Sequence, residues 1–264
     1  MTLLKHELKQ GSRTLAIWTA SIGFLVSICL FLFPEMKGEM DSVSEMFASM
    51  GSFTEAFGMD RLNFGSFIGF YSVECGNILG LGGAMFAALL GIGIIAKEES
   101  NHTAEFLYTQ PLSRNTVLGS KLLAVLIQII ALNVLIFAFS LISALMVDKD
   151  VDIHSLLLLH TAFLCSQIEI SAICFGASAF IRGNGLGIGL GLALLLYFMN
   201  IIANIAEPAS FLKYITPFGY TEAADIIADG SLSAVKLLIG LGIALAGILL
   251  AFRKYSEKDL KWHS

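Results

Sequence analysis

Six long apolar runs limit what this chain can fold into more than any other feature. Each supplies about the 20 residues that a helix needs to cross roughly 30 Å of hydrocarbon. The runs lie at about 15–33, 67–95, 116–147, 155–181, 185–206 and 232–252. Only 14% of the residues are charged, whereas an average soluble domain has roughly 25%. A soluble fold could not bury this much apolar surface, so the sequence predicts an all-α integral membrane protein, a single transmembrane domain over residues 1–264 with six transmembrane helices.

The distribution of lysine and arginine sets the expected orientation of the spans. If both termini are cytoplasmic, eleven basic residues fall on the cytoplasmic side and five on the outer side. The acidic residues show the opposite bias, with six on the cytoplasmic side, thirteen outside and two within spans. Because cytoplasmic loops of membrane proteins are enriched in basic residues, we predict that both termini are cytoplasmic.

The first residues, MTLLKHELKQGSRTLAIW, predict a short interfacial helix that runs into the first span. Its basic side chains, Lys5, Lys9 and Arg13, can contact anionic headgroups while the leucines beside them face apolar surface. Such a helix serves either as an interfacial anchor or as a docking element.

Residues 34–66 form a long outer segment in this topology. Methionines, phenylalanines and a valine recur there at near-helical spacing, with acidic residues and serines mostly on other faces. This pattern predicts an acidic amphipathic helix that lies on the outer leaflet or against the outer ends of the spans. Packing is the expected role of this helix, and substrate contact is the alternative.

Residues 207–231 form the second outer segment. Pro217 and Gly219 predict a turn, and a helix is expected to begin at Thr221 and to stop at Gly230. Three acidic residues, Glu222, Asp225 and Asp229, share one face of that helix at helical spacing. A face of this kind is typical of a solvated surface.

The segment AKEESNHTAEFLYTQPLSRNTVLGSK, residues 96–121, is polar and separates the second and third apolar runs. Residues 98–110 can form about three helical turns, which Pro111 ends because it disfavours helix at the preceding residue. Ser113 can then cap the third span. The short helix has a broad apolar face that is costly to leave in water, and a helix of this length is marginal by itself. We therefore expect a cytoplasmic partner protein to cover it.

This segment resembles the cytoplasmic stretch of the type-2 ABC exporter permease family. The matching positions are Glu98, Glu99, His102, Thr103, Ala104, Glu105, Phe106, Leu107, Pro111, Ser113, Arg114 and Lys121. A glycine is commoner in the family where His102 stands. The stretches KHELKQGSRTLAIWT, LKYITPFGY and YSEKDL are also similar to parts of this family.

The resemblance implies that residues 98–110 form a coupling helix between spans two and three. That helix, with Tyr108 on its apolar face, would contact a separate ABC ATPase subunit, present in two copies, which binds ATP and Mg. The chain itself would bind no cofactor. A second permease chain, identical or related, would complete the transporter about a two-fold axis. The family also implies a multi-pass protein of a prokaryotic plasma membrane that exports an amphipathic substrate, such as an antimicrobial peptide, an antibiotic or a lipid-like molecule.

The sequence offers little for enzymatic chemistry. The glycine-rich stretch at 183–189 lacks the Lys-Ser/Thr of a phosphate loop, and no HExxH motif is present. His154 and His160 are six apart, a poor spacing for a shared metal on a helix. The four cysteines lie in apolar runs without CxxC pairing, so they indicate neither a metal site nor a disulfide framework. We predict no catalytic residues, no metal site and, from the net charge of −5, no nucleic-acid partner.

Two acidic residues within the spans, Glu74 and Glu169, are candidates for a substrate path. An acid near the centre of a span costs on the order of 3 kcal/mol to insert, so it normally faces the bundle interior or water. Each could equally be a protonated or hydrogen-bonded helix contact, and Asn77 is placed to satisfy Glu74. An ion-gradient-driven secondary transporter or channel is the alternative function, although these two acids are isolated and no convincing repeat is present.

Overall fold

The computed structural model describes residues 2–39, 46, 50–59, 61–100, 113–181, 183 and 185–257. At positions 39, 96–100 and 256–257 it describes only the backbone. Within these ranges all regular structure is helical, and six helices are long and apolar enough to cross a membrane. The predicted all-α fold with six membrane-spanning helices is confirmed.

The six long helices follow the predicted spans closely. They are α1 (Thr2–Met36), α2 (Gly76–Ser100), α3 (Arg114–Val147), α4 (Ile153–Ser178), α5 (Leu186–Ile205) and α6 (Ala234–Glu257). The second span begins before α2, because a short helix, Phe67–Phe70, and a π-helical turn, Tyr71–Cys75, lead directly into it. Single π turns of this kind occur frequently at functional sites.

Capping side chains fix where two of the spans begin. Ser113 Oγ accepts a hydrogen bond from the Thr116 amide at 3.2 Å, so it caps α3 as predicted. Asp152 caps α4 by accepting from the Ser155 amide at 3.1 Å. Each cap satisfies an amide that the first turn of a helix leaves without an intrahelical partner.

The start of α1 and the end of α6 lie at the same end of the bundle, which we call the base. Near the start of α3, Lys121 bonds to Glu7 in α1 and to the carbonyl of Ile94 in α2. The first residue of α3, Arg114, donates to the carbonyl of Tyr255 in α6. We call the opposite end the top. The predicted orientation places the base in the cytoplasm.

α1 is one continuous helix from Thr2 to Met36. No break separates the predicted interfacial helix from the first span, so the two form a single helix. The interfacial position of its first turns stays a prediction.

The helices form two closely packed groups. α1 packs mainly on α3, whereas α2 and α6 both pack mainly on α4. Glycines permit the close approaches within the second group. Gly91 of α2 faces the carbonyl of Ser171, and a Cβ at Gly247 of α6 would lie 2.7 Å from the carbonyl oxygen of Ala172. Small residues allow such backbone contacts between helices in lipid.

The described parts of the first outer segment do not form the predicted long amphipathic helix. α1 is followed by a short 3-10 turn, Lys37–Glu39, and a later helix spans only Ser52–Ala56. Gly51 and Gly58 flank that helix with positive φ angles of 51° and 66°, a backbone conformation that interrupts an α-helix. The prediction is wrong from residue 50 onward, and positions 40–45 and 47–49 lie outside the described residues.

The second outer segment folds back into the bundle. Two 3-10 helices, Glu207–Tyr214 and Pro217–Tyr220, follow α5. Between them, Thr216 Oγ1 donates to the carbonyl of Leu196 at 2.8 Å. Leu196 lies nine residues before the end of α5, which corresponds to about 14 Å along the helix. We call residues 207–231 the re-entrant segment.

A short helix, Ala223–Asp229, carries the re-entrant segment back toward α6. Gly230 ends it in the left-handed conformation with φ of 58°, as predicted. The residue that precedes the helix is Glu222 rather than the expected Thr221, and its side chain makes no capping bond. The carboxylate of Glu222 is instead hydrogen-bonded to side chains of α5.

Alanine in place of Gly247 should destabilise the protein by roughly 1–3 kcal/mol, because the new methyl group would push α6 away from the backbone of α4. Gly242 lies on the same helix, and a Cβ there would meet nothing described within 4 Å. Gly242→Ala should therefore leave stability unchanged or raise it by up to about 1 kcal/mol through helix propensity. Thermal unfolding in detergent measures both variants. Equal midpoints for the two would contradict the packing of α4 on α6.

Candidate functional site

The residues predicted to contact an ATPase lie at the base or outside the described residues. Glu98 and Glu99 belong to the last turn of α2, where only the backbone is described. Arg114 Nη1 donates to the carbonyl of Tyr255 at 3.3 Å, which ties the start of α3 to the end of α6. The other predicted residues, Thr103, Ala104, Glu105, Phe106, Leu107, Tyr108 and Pro111, lie outside the described residues.

A cleft, open to the surroundings, lies near the top of the bundle between the second span and α5. Aromatic side chains form much of its wall: Phe57, Phe163, Tyr197 and Phe218. Polar groups are set among them: Ser72, Asn77, Asn200, Asn204, Thr221 and Glu222. The cleft therefore offers apolar surface together with one carboxylate and several amides, a combination suited to an amphipathic ligand.

Glu222 provides the carboxylate of this cleft, and it is not the solvated residue that its helical spacing indicated. Only 7% of the residue is exposed. Its Oε1 accepts hydrogen bonds from Asn204 Nδ2 at 2.7 Å and from Asn200 Nδ2 at 3.1 Å. The amide oxygens of both asparagines are buried and find no hydrogen-bond partner among the described residues.

Ion pairs at the top hold the re-entrant segment to its neighbours. Arg61 Nη1 lies 2.8 Å from Asp225 Oδ1, and its Nη2 lies 3.7 Å from Glu222 Oε2. Lys236 in α6 lies 3.5 Å from Asp225 and donates to the carbonyl of Gly219 at 2.8 Å. Partial burial raises the pKa of Asp225, but the hydrogen bond and charge of Arg61, with the charge of Lys236, outweigh it and the pKa is lowered. Asp225 is therefore a charged member of this network at neutral pH.

Glu169 lies deep in the bundle, away from the cleft. It is 3% exposed, and its Oε2 accepts a hydrogen bond from the hydroxyl of Tyr220 at 2.8 Å. Its Oε1 is buried and has no hydrogen-bond partner among the described residues. A Cβ at Gly240 of α6 would overlap Oε2, so a glycine there leaves room for the carboxyl group. Glu169 therefore joins α4, α6 and the tip of the re-entrant segment.

Glu74 lies in the π turn of the second span with its side chain exposed at the surface of the chain. Its neighbours Ser72, Val73 and Asn77 line the cleft. The expected pairing with Asn77 is wrong, because Asn77 Nδ2 donates to the carbonyl of Val73 at 2.7 Å. An acid on the outer face of a membrane span is expensive unless water or a polar partner reaches it. Of the two predicted acids, Glu74 is the one that lies beside the cleft.

Buried polar contacts link α3 to the other helices at three levels. Near the top, the Tyr71 hydroxyl donates to Ser140 Oγ at 2.9 Å and lies 2.7 Å from Nε2 of His160. His160 is thus part of a hydrogen-bonded contact between helices. In the middle, Asn133 Nδ2 donates to Gln167 Oε1 at 2.7 Å. Both levels consist of uncharged hydrogen-bonding groups, which cost less free energy to bury in a region of low dielectric than charged groups do.

The third level is an ion pair at the base. Lys121 Nζ lies 2.9 Å from Glu7 Oε1 and donates to the Ile94 carbonyl at 2.8 Å. Lys121 is 0% and Glu7 2% exposed. We call these three groups the base clamp. Burying such a pair costs several kcal/mol for each ion, which the mutual attraction and the carbonyl bond offset.

Sequence reasoning missed the base clamp. It placed Lys121 at the end of the polar segment 96–121, where a lysine normally extends to water. Two signals were present: Glu7 is the one acid among the first 34 residues, and Lys121 shares a helix face with Val117, Leu118 and Val125. Those three apolar residues are buried. A cation on a core-facing stripe needs an anion nearby.

The six apolar helices and the polar contacts buried between them define a multi-pass membrane protein. A sequence model of the family described as ABC-2 family transporter protein matches residues 1–260. This chain therefore belongs to that family, whose members are the membrane subunits of ABC transporters. Membership implies an ABC ATPase as partner and confirms the predicted resemblance. No curated protein matches the chain.

Phenylalanine in place of Tyr220 should lower stability by about 1–3 kcal/mol, because it leaves the buried carboxyl group of Glu169 without its donor. Tyr214 is 49% exposed, and Tyr214→Phe should change stability by no more than about 0.5 kcal/mol. Adding Glu169→Gln to Tyr220→Phe should recover part of the loss, since an amide is less costly to bury than a carboxylate. Unfolding in detergent gives all three values, and similar losses for the two tyrosine variants would contradict this assignment.

Proposed function

We propose that this chain is the permease subunit of an ATP-driven exporter that moves an amphipathic substrate across the plasma membrane of a prokaryote. A separate ATPase subunit, in two copies, would bind ATP with Mg and hydrolyse it. A second permease chain, identical or related, would complete the assembly. The observation that carries this proposal is the family match over residues 1–260, joined to a cleft of mixed polarity at the end of the bundle opposite the predicted ATPase contact.

The geometry of the base supports coupling through residues 98–110. The first residues of the segment, 98–100, are the end of α2, one turn beyond Ile94, and the chain enters α3 at Arg114. Ile94 and Arg114 are both bonded to other helices. A short helix that begins and ends at such fixed points can pass a displacement to the spans without unwinding them. Glu98, Glu99 and the apolar residues that follow would form the contact with the ATPase.

The chemistry of the cleft supports an amphipathic substrate. Its aromatic walls can bury an apolar group, while the carboxylate and amide side chains that line it can bond to a polar one. Antimicrobial peptides, antibiotics and lipid-like molecules all have this dual character. We propose that Glu74 lies on the substrate path beside the cleft, and that Glu169 holds the tip of the re-entrant segment through Tyr220.

The cleft opens near the top, which the predicted orientation places on the outer side. Substrate would leave from there, in keeping with export. The exposed side chain of Glu74 would be covered by the second permease chain or by water in the path between the two chains.

Glutamate in place of Phe106 or Leu107 should abolish association with the ATPase, because it would put an unpaired charge into an apolar contact, at a cost of several kcal/mol. The measurement is co-purification of an ATP-hydrolysing subunit from native membranes, together with the rate of hydrolysis. Phe211→Glu serves as the matched control, since Phe211 is exposed on the re-entrant segment at the top. If the Phe106 and Leu107 variants keep both the partner and hydrolysis, the coupling-helix assignment is wrong. If the wild-type protein co-purifies with no ATP-hydrolysing subunit, the result favours the alternative function, an ion-gradient-driven secondary transporter or channel.

Cysteine in place of Asn77 should react with a membrane-impermeant maleimide added outside intact cells, because Asn77 lines the open cleft. The test requires a background in which the four native cysteines are replaced by alanine. Leu241→Cys is the control, since Leu241 is exposed on an apolar face of α6. Labelling of Asn77→Cys only from the cytoplasmic side would contradict the predicted orientation. No labelling from either side would contradict a cleft that is open to water.

A further inference from the structure

The base clamp joins three helices through one side chain. Lys121 belongs to α3, Glu7 to α1, and the carbonyl of Ile94 to α2. α1 and α3 form one packed group and α2 belongs to the other. The ammonium group of Lys121 therefore bridges the two groups of helices at the base.

Stability alone does not account for a buried ion pair at this position. Replacing such a pair with apolar side chains of similar volume is often neutral or stabilising, whereas removing one partner leaves an uncompensated buried charge. The pair does specify which atoms must meet: a lysine reaching both Glu7 and the Ile94 carbonyl fixes the register of α3 against α1 and α2. Fixing register is the best-attested use of a buried polar group.

Ile94 lies close to the end of α2 that leads into the proposed ATPase contact. Ile94 lies six residues before Ser100, the end of α2, or about 9 Å along the helix axis. The segment proposed to contact the ATPase follows directly. Any tilt or shift of the end of α2 therefore changes the distance between the Ile94 carbonyl and Lys121.

We propose that Lys121 is a positioning residue that carries movement of the end of α2 to α1 and α3. The inference rests on the proposed function, because the ATPase supplies the movement. When the end of α2 moves, the ammonium group follows the Ile94 carbonyl, and Glu7 follows the ammonium group because a buried ion pair is costly to separate. The N-terminal third of α1 thereby becomes part of the transmission.

The test measures hydrogen–deuterium exchange in the intact complex of permease and ATPase, purified from native membranes and placed in nanodiscs. Each sample is compared without nucleotide and with ATP, Mg and vanadate. In the wild-type complex, nucleotide should change exchange in peptides from the end of α2, residues 90–100, and from the start of α1, residues 2–15. A wild-type complex in which α2 responds and α1 does not would overturn the inference.

The decisive variant is the apolar pair Glu7→Leu with Lys121→Met, which avoids leaving a single buried charge. Its response at residues 90–100 should persist, while the response at residues 2–15 falls at least about threefold, within the range by which a coupling residue changes the effect of one site on another. The exchanged pair Glu7→Lys with Lys121→Glu keeps an ion pair but removes the donor to Ile94, and it should lose the α1 response in the same way. An unchanged α1 response in either variant would overturn the inference.

Lys9→Met is the matched control, because Lys9 is an exposed cation on the same helix. It should respond as the wild type does. Equal loss in this control would show that any charge change at the start of α1 suffices, which contradicts a specific role for Lys121. If no ATPase accompanies the wild-type chain and neither peptide responds to nucleotide, the proposed function fails first, and this inference fails with it.

Discussion

Polar groups buried between apolar helices must find partners within the protein, and this constraint shapes the whole bundle. In lipid, an unsatisfied donor or acceptor costs several kcal/mol because no water can replace the missing bond. α3 carries the polar side chains that meet this requirement at three levels, Ser140, Asn133 and Lys121. Helix association in lipid rests on van der Waals packing and on hydrogen bonds between helices. The three polar levels therefore help to fix how the α1–α3 group sits against the α2–α4–α6 group.

The second span is the element that runs from the cleft to the base clamp. At the top its residues line the cleft, and the π turn at Tyr71–Cys75 redirects its side chains there. At the base it holds the Ile94 carbonyl and continues into the segment proposed to contact the ATPase. A continuous helix transmits a tilt along its length with little loss. The wall of the cleft is therefore mechanically joined to the base clamp without any intermediate loop.

The sequence predicted the parts of this fold that depend on local pattern and length. Six apolar runs of sufficient length gave six helices, Ser113 capped α3, and Gly230 ended its helix, since each of these outcomes is decided within a few residues. The motif at residues 96–121 led to the correct family. What the sequence could not reveal was pairing over long distances in the chain. Lys121 meets Glu7 from 114 positions away, and the apolar face that Lys121 shares does not say which acid is its partner.

The re-entrant segment illustrates the same limit in the candidate site. Its spacing of Glu222, Asp225 and Asp229 is that of a solvated helix face, and only the return of the chain along α5 brings Glu222 to Asn200 and Asn204. The π turn was equally invisible, because its residues are ordinary helix formers and the extra residue is accommodated by packing.

The kind of buried polar group changes with depth in the bundle. Glu169 is an exception, and its surroundings show what the re-entrant segment contributes. Full charges lie at the ends of the bundle, in the base clamp and in the Arg61–Asp225–Lys236 network, whereas the central level of Asn133 and Gln167 is neutral. Glu169 departs from this order, since it places an ionisable group sixteen residues into α4. The spans that pack against α4 offer it a glycine, Gly240, and the donor it requires comes from Tyr220. The re-entrant segment, which folds back along α5, delivers the Tyr220 hydroxyl to that depth. The acid in α4 and the re-entrant segment therefore depend on each other, and a loop that stayed at the top would leave Glu169 without that donor.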